Sequence, residues 1–252
     1  MKRNPDSGWT DDAGTVHTIR QAEGGEQGCP LMPALYSLAQ HDALAAADAE
    51  LLPSEVVLSF LDDLYIVTSR DRAGAAFREV ATSVESRAGV QTNLGKLRAW
   101  SSGGGPAPPS LASLGPDVWT SDKTPAENGI KVLGTPIGQP AYVDSFATTR
   151  VETENRLLKQ LVKLPDLQCA WIMLSMSAAP RSNHMVRMLP PSQARTYAQQ
   201  HDIAMWSTLC DMLHAGTLQA DELARDIATL PGRFGGLGLR SAERSSARAY
   251  WA

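Results

Sequence analysis

The sequence predicts an α+β protein: an antiparallel sheet with packed helices over residues 1–142, then a mainly helical region over residues 143–252. Three observations carry this. The runs "VVLSFLDDLYIVT" (56–68) and "IKVLGTPIG" (130–138) are short, β-prone and broken by turn residues. Between them, residues 72–88 repeat apolar side chains at helical spacing, and beyond residue 143 that spacing prevails. With 252 residues and 43% hydrophobic side chains, the chain is long enough to bury a sizeable core.

Taken in order, "GWTDDAGTVHTIRQAEGG" alternates Val16, Thr18 and Arg20 with His17, Ile19 and Gln21 behind a "DDAG" turn, the pattern of a β-hairpin. Gly28 then ends one element. Pro30 and Pro33 fall where a helix starts, a place that tolerates proline. Leu31, Leu35, Leu38 and Ala39 share one face of that helix, which ends before Pro53. Residues 56–68 are too short and too rich in β-branched and aromatic side chains for a helix, and read as two strands joined at Asp62-Asp63. Over 72–88, Ala76, Phe77, Val80, Ala81, Val84 and Ala88 form an apolar stripe, and Gly89 is a natural C-cap. "GVQTNLGKLRAW" reads as a turn and short strand, "SSGGGPAPPS" (101–110) as a flexible loop, and 130–138 as a strand pair with glycines at the turns. The second region opens with a helix over about 144–163, with Val151, Leu158, Leu161 and Val162 inward. Apolar helical segments follow near 166–178 and 192–214, and the tail is a glycine-rich loop and a helix.

Composition bounds function. No apolar run approaches the roughly 20 residues that span a bilayer, so no membrane partner is expected. The first residues lack the apolar core of a secretory signal. Cys29, Cys169 and Cys210 are scattered without a CxxC pair, which argues against a disulfide framework or a zinc site and for a reduced, intracellular protein. Residues 1–142 carry 11 Lys and Arg against 17 Asp and Glu (net −6), and residues 143–252 carry 12 against 10 (net +2). That balance is not the footprint of a strong nucleic-acid binder, although an acidic metal-binding half can work beside a basic gripping half.

Asp62 and Asp63 sit between apolar strands, and two readings stand side by side. Aspartate is common in turns because its side chain bonds nearby backbone N–H groups. Alternatively, two carboxylates at a hairpin tip hold a hard cation such as Mg2+ above a sheet. Adjacent strand residues point to opposite faces, so the two are not equivalent ligands.

Four blocks in order, "QGCPLMPALY" (27–36), "FLDDLYIVT" (60–68), "GVQTNLGKLRAW" (89–100) and "VLGTPIG" (132–138), resemble the reverse transcriptase family, and more narrowly the enzymes of non-LTR, LINE-type retrotransposons. The resemblance covers roughly residues 10–140 and extends loosely over the remainder. It implies part of a right-hand polymerase palm followed by a helical thumb. It implies two-metal nucleotidyl transfer that extends a DNA primer on an RNA template, with Mg2+ (or Mn2+) as cofactor and dNTP as substrate. Carried over by residue, Asp62 is the principal metal ligand and Asp63 its partner. Gln27 and Gly28 shape the nucleotide pocket, Pro30 fixes the turn into the helix, and Phe60 packs near the primer end. Lys96 is the general acid toward the leaving pyrophosphate. Such elements act in the nucleus, which the resemblance alone implies. Arg240, Arg244 and Arg248 recur every four residues in the tail, a spacing that suits either phosphate contacts or a solvated helix face.

The family places a first catalytic aspartate on a strand well upstream of the Gln-Gly block. Here 26 residues precede Gln27 and read as a hairpin, and Asp11-Asp12 lies in a turn context that does not suit the missing role. The template-binding fingers have no room either. The expectation is a chain truncated relative to the family. It would bind Mg2+ weakly and not polymerise alone, with the missing N-terminal part of the polymerase as a partner.

Overall fold

In a computed structural model, residues 7–19 and 28–252 are described. The class is α+β, with two-stranded antiparallel sheets and many helices. The chain divides into two compact units, Met1–Thr92 and Asn93–Ala252. This division by packing falls earlier than the functional boundary expected at residues 142 and 143. The reason is local: the strand pair over residues 129–138 packs on the long helix that follows it.

In the first unit, β1 (Ser7–Thr10) and β2 (Val16–Ile19) form the expected hairpin, closed by the "DDAG" turn. Arg20 and Gln21 lie outside the described residues. Asp11 shapes that turn, its Oδ1 accepting from the Ala13 and Thr15 amides, while its Oδ2 lies 2.8 Å from His17 Nε2. Trp9 stacks on the His17 ring at 4.6 Å.

Helix α1 (Met32–Glu50) starts behind Gly28 and Pro30, and α2 (Ala73–Ala88) ends on Gly89 at φ 69°, as the sequence suggests. The face α1 buries is not the expected one. Leu31, Leu35 and Leu38 are exposed, while Gln40, Ala43 and Ala47 are buried. Small residues win because the helices approach closely: the Ser83 hydroxyl donates 2.7 Å to the Ala43 carbonyl, and Ala43 and Ala47 share a core with Ala76, Val80 and Val84. Strands β3 (Val56–Phe60) and β4 (Asp63–Val67) pair antiparallel, and Val57, Leu64 and Ile66 lay one face on this core. By strand alternation the other face carries Val56, Leu58, Phe60, Asp63, Tyr65 and Val67.

In the second unit, residues 101–110 are fastened rather than loose. The Ser101 amide donates 2.7 Å to Ser121 Oγ, the Trp119 indole donates 2.9 Å to the Gly105 carbonyl, and α3 (Pro109–Ala112) buries Leu111. Strands β5 (Gly129–Val132) and β6 (Thr135–Gly138) are joined by Leu133 and Gly134, both at positive φ. Helix α4 (Pro140–Leu161) buries Val143, Ala147, Glu154, Leu158 and Leu161, but Val162, expected inside, is 38% exposed. Helix α5 (Leu167–Met173) runs through a π-helical turn (Leu174–Ala178) and a 3-10 turn (Ala179–Arg181) into α6 (Ser182–Met188). Helix α7 (Pro191–Met212) is the spine of the unit, buried along most of its length, and packs against α4, α6 and α9 (Ala242–Trp251). Helix α8 (Glu222–Thr229) was not anticipated by the sequence pattern.

Candidate functional site

Strands β3 and β4 are joined by a two-residue turn, Leu61-Asp62, so that Phe60 and Asp63 are the last paired residues. The junction expected at Asp62-Asp63 is therefore shifted by one: Asp62 is in the turn and Asp63 opens β4. Two-residue hairpins match the strand twist by placing turn residues at positive φ, normally Gly, Asn or Asp. Here Leu61 takes that conformation at φ 55°. A bulky side chain in this region is an outlier that costs on the order of 1–3 kcal/mol, and such residues cluster at functional positions.

Asp62 and Asp63 are both exposed. Neither carboxylate has a hydrogen-bond or ion-pair partner among the described residues. Asp11 offers the contrast: it forms the local backbone bonds that make an aspartate useful in a turn. Asp62 and Asp63 form none. Asp63 shares the open face of the hairpin with Phe60, which is 57% exposed, and with Leu58 and Tyr65.

The base of the same hairpin holds a group that the sequence pattern did not reveal. Glu55, just before β3, is buried, and its carboxylate accepts from the Leu52 amide (2.9 Å), the Thr68 hydroxyl (2.6 Å) and both Nε and Nη2 of Arg72 (3.1 Å each). Arg72 also donates to both oxygens of Glu79 (3.2 and 3.0 Å). The hydrogen bond from Arg72, then those from Thr68 and Leu52, lower the Glu55 pKa to about 2. A lone glutamate before a strand carries no signal of this; only the fold, which brings Arg72 from 17 positions on, makes the ion pair.

Of the other expected site residues, Gln27 lies outside the described residues. Gly28, at φ 97°, and Pro30 are exposed and immediately precede α1. Lys96 belongs to the second unit. It is exposed and follows a turn in which Asn93 Oδ1 accepts from the Gly95 amide at 3.0 Å. In the tail, Arg240 precedes α9 rather than sharing a helix face, and Arg244 donates to Asp226 and to Thr229 Oγ1 (2.7 Å). A cavity of about 180 Å3 lies between α7, α8 and α9, and its lining sets Arg225, Arg240 and Arg244 against four carboxylates, Asp202, Glu222, Asp226 and Glu243.

The donor set at Asp62 and Asp63 fits Mg2+ chemically. That ion is usually held by one or two carboxylates, several waters and substrate phosphates rather than by an all-protein cage. Among the described residues, no group of three or more His, Cys, Asp or Glu side chains is placed to hold a metal. No helix of the described residues is long and apolar enough to cross a membrane. No family model matches the chain, and neither a curated protein nor a solved structure matches it significantly.

Proposed function

We propose that the chain is part of an RNA-directed DNA polymerase of the reverse transcriptase family, of the non-LTR retrotransposon type. In this reading the first unit supplies the metal-binding part of a palm and the helical residues from about 143 form a thumb. The observation that carries it is the state of Asp62 and Asp63. Two adjacent carboxylates stand at the end of a strained hairpin, exposed and free of the local bonds that would explain them as turn residues. The resemblance of the ordered blocks around residues 27–36, 89–100 and 132–138 to that family supports the reading.

Asp62 is the main ligand for Mg2+ (or Mn2+) and Asp63 assists from the open face beside Phe60, which faces the primer end. Gln27, Gly28 and Pro30 border the dNTP. By the resemblance alone, Lys96 is the residue that would donate a proton to the departing pyrophosphate or neutralise its charge. Bound Mg2+ would neutralise charge on the triphosphate and favour ionisation of the attacking hydroxyl. RNA template, DNA primer and dNTP are the partners, and the site of action is nuclear. A two-metal centre takes carboxylates from more than one strand, so the 252-residue chain does not extend a primer by itself and requires a further aspartate-bearing segment.

Manganese binding, followed by electron paramagnetic resonance, tests the reading. The chain binds Mn2+ weakly, and Asp62→Asn with Asp63→Asn abolishes that binding while leaving the fold intact or slightly more stable, because like-charge repulsion is removed. Equal Mn2+ affinity in the double variant would reject the site and favour an unrelated α+β domain with a plain turn.

A further inference from the structure

We infer that Arg72, acting through Glu55, is a positioning residue that fixes the aim of the Asp62–Asp63 pair; the inference rests on the polymerase reading of that pair. The β3–β4 hairpin has no third strand among the described residues, so no neighbouring ladder sets its angle. What holds it is one packed face and one polar clasp. Val57, Leu64 and Ile66 rest on the α1–α2 core, a contact that resists lifting but not sliding or rocking. The clasp supplies direction. Glu55 and Thr68 flank the outermost strand pair, Val56 and Val67, and the bond from Thr68 to Glu55 closes the hairpin base. The Leu52 amide ties the same carboxylate to the turn that follows α1. Arg72, at the N-terminus of α2, grips it with two donors and is itself held by Glu79 about two turns along the same helix. Three residues, Leu52, Thr68 and Arg72, thus converge on one buried carboxylate through four hydrogen bonds.

Lever arithmetic explains why this matters at the tip. Five residues separate Glu55 from Phe60, about 17 Å at roughly 3.3 Å per residue. A rocking of about 5° at the base displaces the tip by about 1.5 Å, whereas a working metal or catalytic constellation must be held within about 0.5 Å. A planar guanidinium making paired bonds resists such rocking; an ammonium on a flexible stem does not.

The test compares Arg72→Met and Arg72→Lys with the unmodified chain by two measurements: amide hydrogen exchange along the chain, and Mn2+ affinity. In Arg72→Met, exchange at the Leu61–Leu64 amides accelerates at least tenfold while the central amides of α1 and α2 keep their protection, and Mn2+ affinity falls five- to tenfold. Arg72→Lys recovers part of both. Unchanged tip exchange in Arg72→Met overturns the positioning role. So does a loss of protection spread evenly over α1 and α2, since the residue would then merely stabilise the unit. An unmodified chain that binds no Mn2+ removes the polymerase reading, and the exchange result still decides whether the clasp governs the tip.

Discussion

The Tyr197 hydroxyl donates a 2.8 Å hydrogen bond to Glu154 Oε1 in the interior of the second unit, across 43 positions of sequence. His201 Nδ1 reaches the other carboxylate oxygen at 2.8 Å, and Arg150 Nε donates to the first at 3.1 Å. Burial pushes the Glu154 carboxyl up, but the His201, Tyr197 and Arg150 contacts outweigh it and hold the group below its ordinary 4.5. A carboxylate with a depressed folded value contributes stability above its unfolded value and loses it as pH falls through the folded one. The second unit should therefore weaken below about pH 4.5, and Glu154→Gln should flatten that part of the curve. Glu154→Ala should cost about 3–5 kcal/mol at neutral pH, because His201 is left buried without its partner. Urea unfolding at stepped pH measures both; an acid limb equally steep in Glu154→Gln would assign it to other carboxylates.

The strain at Leu61 is separable from its side chain by comparing two truncations. Both Leu61→Gly and Leu61→Ala remove the isobutyl group, but only glycine takes φ 55° without a Cβ penalty. The glycine variant should be more stable than the alanine variant by about 1–2 kcal/mol in chemical denaturation of the first unit. Equal stabilities would mean that the turn relaxes out of positive φ when leucine is removed.

Gly236 should be the least replaceable glycine of the tail. A methyl group there would collide with the carbonyl oxygens of Leu230 and Ile227, which are backbone and cannot swing away. Gly235 and Gly238 sit at φ 82° and 72° with open space around them. Gly236→Ala should therefore lower stability by about 2–3 kcal/mol or more, against about 1 kcal/mol for alanine at Gly235 or Gly238. Thermal unfolding of the three variants ranks them directly.

What the sequence made legible is local chemistry. The stripe Ala76, Val80, Val84 and its Gly89 cap follow from helical period and one residue's freedom at positive φ, and both appear as read. The hairpin bearing Asp62 and Asp63 is legible for the same reason, since two β-prone runs flank it. What stayed hidden is whatever depends on a distant partner. Leu31, Leu35 and Leu38 make the more apolar face of α1, yet Ala43 and Ala47 are buried because a second helix comes close enough to need small side chains. Glu154 looks like a surface residue of an amphipathic helix, and only Tyr197 and His201, on α7, make its burial tolerable. Glu55 is the same case at the candidate site.

Asp202 should hold the last helix in place. It belongs to α7 and is nearly buried, and it reaches the start of α9. Its carboxylate accepts from the Ala242 amide at 2.7 Å, the Glu243 amide at 3.2 Å and the Ser241 hydroxyl at 2.6 Å. A helix begins with amides that have no partner within it, and a negative charge at that end also meets the positive pole of its dipole. Ser241 is the local cap, its hydroxyl accepting from the Arg244 amide at 3.1 Å, so Asp202 supplies the amides that the cap does not reach. Replacing Asp202 by alanine leaves the buried Ala242 amide and the partly buried Glu243 amide unmatched and should cost about 2–4 kcal/mol, more than the roughly 1 kcal/mol expected for Ser241→Ala. Hydrogen exchange locates the loss: the α9 amides should lose protection first while the α4 and α7 amides retain theirs. Uniform loss across the unit would instead make Asp202 part of the global core rather than the latch of α9.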